Sequence, residues 1–252
     1  MYGTFTLNKK KGKKMAKYTI HKSNSRGFAD HGWLKSYHTF SFAGYFNPER
    51  VNFGVLRVLN DDYVVPGRGF GTHPHENMEI VSIPLEGKLA HKDSTGSEGI
   101  IQKGEIQFMS AGTGVTHSEM NGSETEAVKF LQIWIIPNKM NITPRYGQME
   151  YAVNDNEIKT LIQPETAEGT LRLQQNAWFK MAKFDDGKET SITVEDPKNN
   201  GIYIFLLNGS IEVDGNQLET RDAIGIWETE NVSIKTNNKS EFLIIEVPMN
   251  QN

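Results

Sequence analysis

At 252 residues, with 37% apolar and 10% aromatic side chains, the chain can bury one large core or two smaller ones. Its formal net charge of −4 offers no general field for nucleic acid, and no apolar run nears the roughly 20 residues of a membrane-crossing helix. The absence of cysteine excludes disulfides, thiolate catalysis and iron–sulfur clusters, so any metal must be held by histidine and carboxylate.

Taken in chain order, residues 1–16 read as a disordered basic extension carrying Lys9, Lys10, Lys11, Lys13 and Lys14, with Met15 an alternative start. This stretch lacks the apolar centre of an export signal, which sets a cytoplasmic expectation. From Tyr18 onward the chain breaks into short runs rich in Val, Ile, Phe, Tyr and Thr, bounded by Gly, Asn, Asp or Pro. Strands are predicted over residues 37–42, 53–59, 78–85, 88–92, 106–110 and 128–136. A second series covers 202–207, 210–213, 223–228, 232–236 and 241–247. Short helices are predicted near 138–150 and 164–169. Strands at this spacing imply an all-β sandwich or barrel.

An internal repeat organises these strands. Ile83-Pro84-Leu85-Glu86-Gly87-Lys88-Leu89 is matched by Phe205-Leu206-Leu207-Asn208-Gly209-Ser210-Ile211. Phe130-Leu131-Gln132-Ile133-Trp134 is matched in the same way by Phe242-Leu243-Ile244-Ile245-Glu246. Two β-modules in tandem follow, over residues 17–140 and 150–252. All seven histidines lie at or before position 117, so only the first module can hold a histidine-based metal site.

Two segments carry that chemistry. In Gly71-Thr72-His73-Pro74-His75 the two imidazoles are two residues apart, so on a strand they share one face. After a second glycine-rich turn, Val115-Thr116-His117-Ser118-Glu119 repeats the spacing with a histidine and a carboxylate. Facing pairs would offer three nitrogens and one oxygen to a first-row divalent ion such as Fe, Mn, Co, Ni, Cu or Zn, leaving positions open for catalysis. A single interior histidine is usually a satisfied core residue; two paired motifs argue for a site. His38 is expected to pack in a core or pocket, and His91 to act as a supporting or surface group.

These residues resemble the pirin family of the cupin superfamily, most closely its bacterial quercetin dioxygenase-like members. The resemblance runs from about Tyr18 to Pro248 and is carried by His31-Gly32-Trp33-Leu34, by the two histidine motifs and by Met109-Ser110-Ala111-Gly112-Thr113-Gly114. Gln132-Ile133-Trp134-Ile135 and Ile142-Thr143-Pro144-Arg145-Tyr146 complete it. It implies two cupin (double-stranded β-helix) domains face to face. One divalent ion, with iron(II) the first expectation and Ni, Co, Mn, Cu and Zn alternatives, would lie in the N-terminal domain on His73, His75, His117 and Glu119. Many other cupins take their carboxylate from the position of Glu79, which stays open as an alternative. The implied activity is dioxygen-dependent cleavage of a flavonol such as quercetin with release of carbon monoxide. Glu119 would act as the catalytic base, and Phe70, Phe108 and Met109 are candidate apolar walls. The implied partners are the flavonol and O2, without nucleic acid or membrane, on a monomer. A non-enzymatic, redox-sensitive module binding regulatory proteins is the alternative the family permits.

Overall fold

The computed structural model describes residues 16–250, so the basic extension up to residue 15 lies outside the described residues. The chain opens with β1 (Lys17–His21), a 3-10 turn at Ser23–Ser25, β2 (Gly27–Asp30) and β3 (Leu34–His38). It continues through β4 (Leu56–Val64), β5 (Gly69–His75), β6 (Glu79–Glu86), β7 (Lys88–Asp93) and β8 (Glu98–Gln102). Then come β9 (Glu105–Ser110), β10 (Val115–Asn121), β11 (Val128–Ile135) and β12 (Arg145–Glu150). The second half holds β13 (Glu157–Ile162), β14 (Trp178–Phe184), β15 (Glu189–Thr193), β16 (Asn200–Asn208) and β17 (Ser210–Val213). It ends with β18 (Asn216–Glu219), β19 (Ala223–Trp227), β20 (Asn231–Thr236) and β21 (Ser240–Pro248). Among the described residues no α-helix occurs, and no helix is long and apolar enough to cross a membrane.

Each half is a sandwich of one large and one small antiparallel sheet, the predicted all-β, two-module architecture. The first pairs β12-β9-β6-β11-β4-β3-β2 with β5-β10-β7-β8; the second pairs β1-β19-β16-β21-β14-β13 with β15-β20-β17-β18. The two large sheets pack on one another. Val81, Ile83, Leu131 and Ile133 from one meet Phe179, Tyr203, Phe205 and Leu243 from the other in a single apolar core. Central strands are therefore covered on both faces, and β16 is buried at every position but its last. The outer strand β20 instead alternates, exposing Asn231, Ser233 and Lys235.

The repeat also shows how the interiors diverge. Ser82 and Gln132 of the first sandwich stand where the second has Ile204 and Ile244, within an interior filled by Ile, Val, Leu and Phe. We keep residues 17–140 and 150–252 as the proposed division. Strand pairing crosses it where β1 closes the edge of the second module's large sheet against β19, while β12, which spans the gap between the modules, pairs with β9 of the first.

The two predicted helices are corrected. Residues 145–150 form an edge strand, because Gly147 lets the chain lie against Phe108, where a Cβ would come within 2.5 Å of the ring. Residues 164–169 are irregular; Pro164 and Gly169 punctuate a stretch too short to nucleate a helix.

Candidate metal centre

The first sandwich brings the two histidine motifs together by direct pairing. β5 and β10 run antiparallel with His73 opposite His117. A bulge between His117 and Glu119 then shifts the register, so that Glu119 faces Phe70. The extra residue on β5 changes which side chains point inward. Gly69 is required beside it, since a Cβ there would lie 2.4 Å from the Glu119 carbonyl oxygen.

His73, His75 and His117 offer ligand atoms all within 4.8 Å of one another. His73 Nδ1 lies 2.8 Å from the Gly71 carbonyl oxygen, which fixes its proton there and leaves Nε2 as a lone pair 3.0 Å from His117 Nε2. Burial, then repulsion from His73, pushes the His75 pKa down to about 4. Burial, then His73, His75 and His91, pushes His117 down to about 3. Both rings are thus neutral near pH 7 and can donate electron pairs. Three imidazoles crowded around one point, with no thiolate, fit a divalent first-row cation.

Glu119 belongs to a second group with His91 and His117, within the same 4.8 Å limit. His117 is therefore the link between the three-histidine cluster and the carboxylate. Glu119 is buried and reaches across the sandwich to the large sheet. Its Oε1 accepts from Ser82 Oγ at 2.7 Å and Gln107 Nε2 at 3.2 Å, and its Oε2 accepts from Gln132 Nε2. Burial raises its pKa, opposed first by Ser82 and then by His91. Glu79 is held elsewhere, by Ser110 Oγ at 2.7 Å and the Gln174 backbone N–H at 3.0 Å, outside both groups.

His91 is closer to the centre than the sequence suggested. It sits opposite Glu119 on β7, fully buried, with Nε2 3.1 Å from Asp93 Oδ2 and its ring stacked on Tyr146 at 4.6 Å. The cradle of Glu119 was not foreseen either. Registers place His38, Asn60, Gln132, Ser82 and Gln107 side by side across five strands, a buried polar row inside the sandwich that ends at the exposed Gln148 of β12. Only the repeat gave a signal, in the polar residues it sets against Ile204 and Ile244.

A cavity of about 760 Å³ opens onto His73, His75 and Glu119. Its walls include Trp33 edge-on to Phe70 at 5.4 Å, and Phe42 edge-on to Trp134 at 5.3 Å. Trp134 in turn meets His75 at 5.0 Å. Phe70 lines this space as expected, whereas Phe108 packs between the modules and Met109 beside Ile80 and Val115. His38 lines it too.

Residues 19–135 match the family described as Pirin, and residues 160–247 match the quercetinase C-terminal cupin domain. A quercetin 2,3-dioxygenase of Escherichia coli K12 is 39% identical over 231 residues, 91% of this chain and 98% of the relative. The chain belongs to the pirin family. The crystal structure of YhhW from Escherichia coli superposes on this pirin chain with a TM-score of 0.89 at 37% identity, covering 94% of it and 100% of YhhW. The structure of bacterial pirin YhhW in complex with nickel(II) gives 0.88 at 38% identity, covering 92% and 99%. The two cupin domains expected of a pirin are those described above.

Proposed function

We propose that this pirin holds one divalent metal ion on His73, His75, His117 and Glu119 and uses it to cleave a flavonol with dioxygen, releasing carbon monoxide. The observation that carries this reading is the convergence of three imidazoles, those of His75 and His117 held neutral, at a large aromatic-walled cavity. The relative bound to nickel(II) and the one named quercetin 2,3-dioxygenase support it.

A bound divalent ion would supply Lewis acidity, lowering the pKa of the flavonol 3-hydroxyl. Glu119 takes the released proton on a carboxylate oxygen, a role suited to a group whose pKa burial has raised. Ser82, Gln107 and Gln132 keep that carboxylate aimed from the opposite sheet. Trp33, Phe42, Phe70 and Trp134 receive the planar rings and exclude water around them. The overall reaction adds both atoms of O2 and expels one carbon as carbon monoxide, giving a depside without a further reductant. One chain builds the whole cavity, which supports a monomer as the working unit; iron(II) remains the proposed ion.

The test is to load the protein with single metals and follow quercetin loss, oxygen uptake and carbon monoxide release together. Turnover that falls at least a hundredfold in His73→Ala and Glu119→Ala is the expected result. Fully loaded wild-type protein that consumes no quercetin would overturn the reading.

A further inference from the structure

The cavity has a further polar wall beside the one that carries Glu119. His38, Asn60 and Asp62 line it, each no more than 3% exposed. His38 Nδ1, Asn60 Oδ1 and Asp62 Oδ1 are buried atoms with no hydrogen-bond partner. Buried polar atoms are normally paired, so three orphans around one space point to a ligand that pairs them. Asn60 lies beside Gln132 on the neighbouring strand and His38 beside Asn60 on the next. At one strand spacing of about 5 Å each, these groups stand roughly 5 and 10 Å from the residue that steadies Glu119. The remaining walls are apolar or aromatic.

We propose that His38, Asn60 and Asp62 form a hydroxyl-recognition subsite that selects aromatic substrates bearing phenolic hydroxyls besides the one presented to the histidine cluster. Two of the three orphans, Asn60 Oδ1 and Asp62 Oδ1, are acceptors, so they call for O–H donors rather than a carbonyl or an anion. Burial raises the Asp62 pKa to about 7, opposed by the Ser36 hydroxyl and reinforced by Asp61 and Glu119, so near neutral pH the group can exchange hydrogen bonds with a neutral phenol without a buried charge. A phenol that reaches this wall satisfies both acceptors, while an unsubstituted ring leaves them buried and unpaired, the situation in which polar sites discriminate most sharply. The inference rests on the aromatic-substrate reading above but not on turnover.

Binding separates the two. Metal-loaded protein under anaerobic conditions is titrated with quercetin and with 3-hydroxyflavone, which has only the 3-hydroxyl, and Kd is read from quenching of Trp33 and Trp134. Wild-type protein should prefer quercetin at least tenfold. Asn60→Ala and Asp62→Ala should each weaken quercetin more than 3-hydroxyflavone and narrow that preference to about threefold or less, with Asp62→Asn, which keeps an acceptor oxygen, retaining more of it. A wild-type preference below threefold, or one undiminished in the variants, overturns the subsite even if quercetin is turned over. The selective pattern without any turnover would support the subsite and sink the dioxygenase reading alone. If an alanine variant fails to fold, as judged by metal content and melting, Asp62→Asn and the wild-type preference decide.

Discussion

Glu119 lies on the small sheet but is held by side chains of the large one, and this cross-sandwich contact sets what single substitutions do. Gln132→Leu would leave Oε2 of a buried carboxylate without its donor. Loss of such an orienting partner should weaken divalent-metal affinity about 10- to 100-fold, measurable by competition with a chelating dye. Asp62 offers a second residue-scale test, in metal-free protein. Its carboxyl rises from 3.8 to about 7 in the fold. The unfolded chain therefore loses this proton first as pH rises, and stability present below 3.8 is lost through pH 7, by on the order of 4 kcal/mol. Asp62→Asn should thus be the more stable protein at pH 8 in urea titrations, with the gap shrinking toward pH 5. A constant gap would mean that Asp62 is ionised throughout. The grouping of His73, His75 and His117 was legible because a spacing of two on a strand needs no knowledge of partners, whereas the choice of Glu119 over Glu79 came from the family resemblance. Ser82, Gln107, Gln132, Asn60 and Asp62 were not legible, because a buried polar residue in an apolar run shows its purpose only once the neighbouring strands are in register.

The β5–β10 pair is the element on which the centre depends. It sets His73 against His117, and its bulge lets Phe70 and His73, three residues apart, face the same cavity. Gly69 lies where the β10 backbone passes, with the Met120 Cα only 2.5 Å from a would-be Cβ. Gly69→Ala should force the strands apart, lowering stability by about 1–3 kcal/mol and reducing metal content, both measurable on one preparation by thermal melting and elemental analysis. A variant with full metal occupancy and an unchanged Tm would show that this close approach can relax. Glycine-rich flanks announced a bend here, but not the bulge, since the sequence does not say which strand carries the extra residue. The same limit explains the strand at 145–150, whose place at the edge of β9 comes from contact with Phe108 rather than from any local preference.

Across the whole molecule, one module holds the histidine cluster while the other has an interior packed with Ile, Val, Leu and Phe. The repeat and the histidine census made this asymmetry readable from sequence; the crossing of β1 to the second module was hidden, since strand exchange leaves no mark on periodicity. That crossing brings His21 into the buried region, with Nδ1 2.7 Å from the Tyr203 hydroxyl. Burial, then Arg50, pushes its pKa down from 6.5 to about 4. Between those values the unfolded chain binds the extra proton, so stability present above pH 6.5 is lost as pH falls toward 4, by on the order of 3 kcal/mol. His21→Gln should flatten the fall in stability between pH 7 and 5 relative to wild type. An equal slope in both proteins would assign the proton uptake to other groups.

The far end of the chain makes the reciprocal connection. The Pro248 carbonyl accepts the Val55 N–H at 3.0 Å, and a Cβ on Gly54 would come within 2.2 Å of that oxygen. Each half thus lends its outer end to the other, and the chain connector, which runs through β12 to the exposed turn at 154–156 before β13, is not what holds them together. A protease that nicks this connector should therefore yield two fragments that co-elute and stay folded as a complex. Either fragment prepared alone would present an uncovered apolar sheet, and they should regain structure on mixing, as halves of a split reporter do.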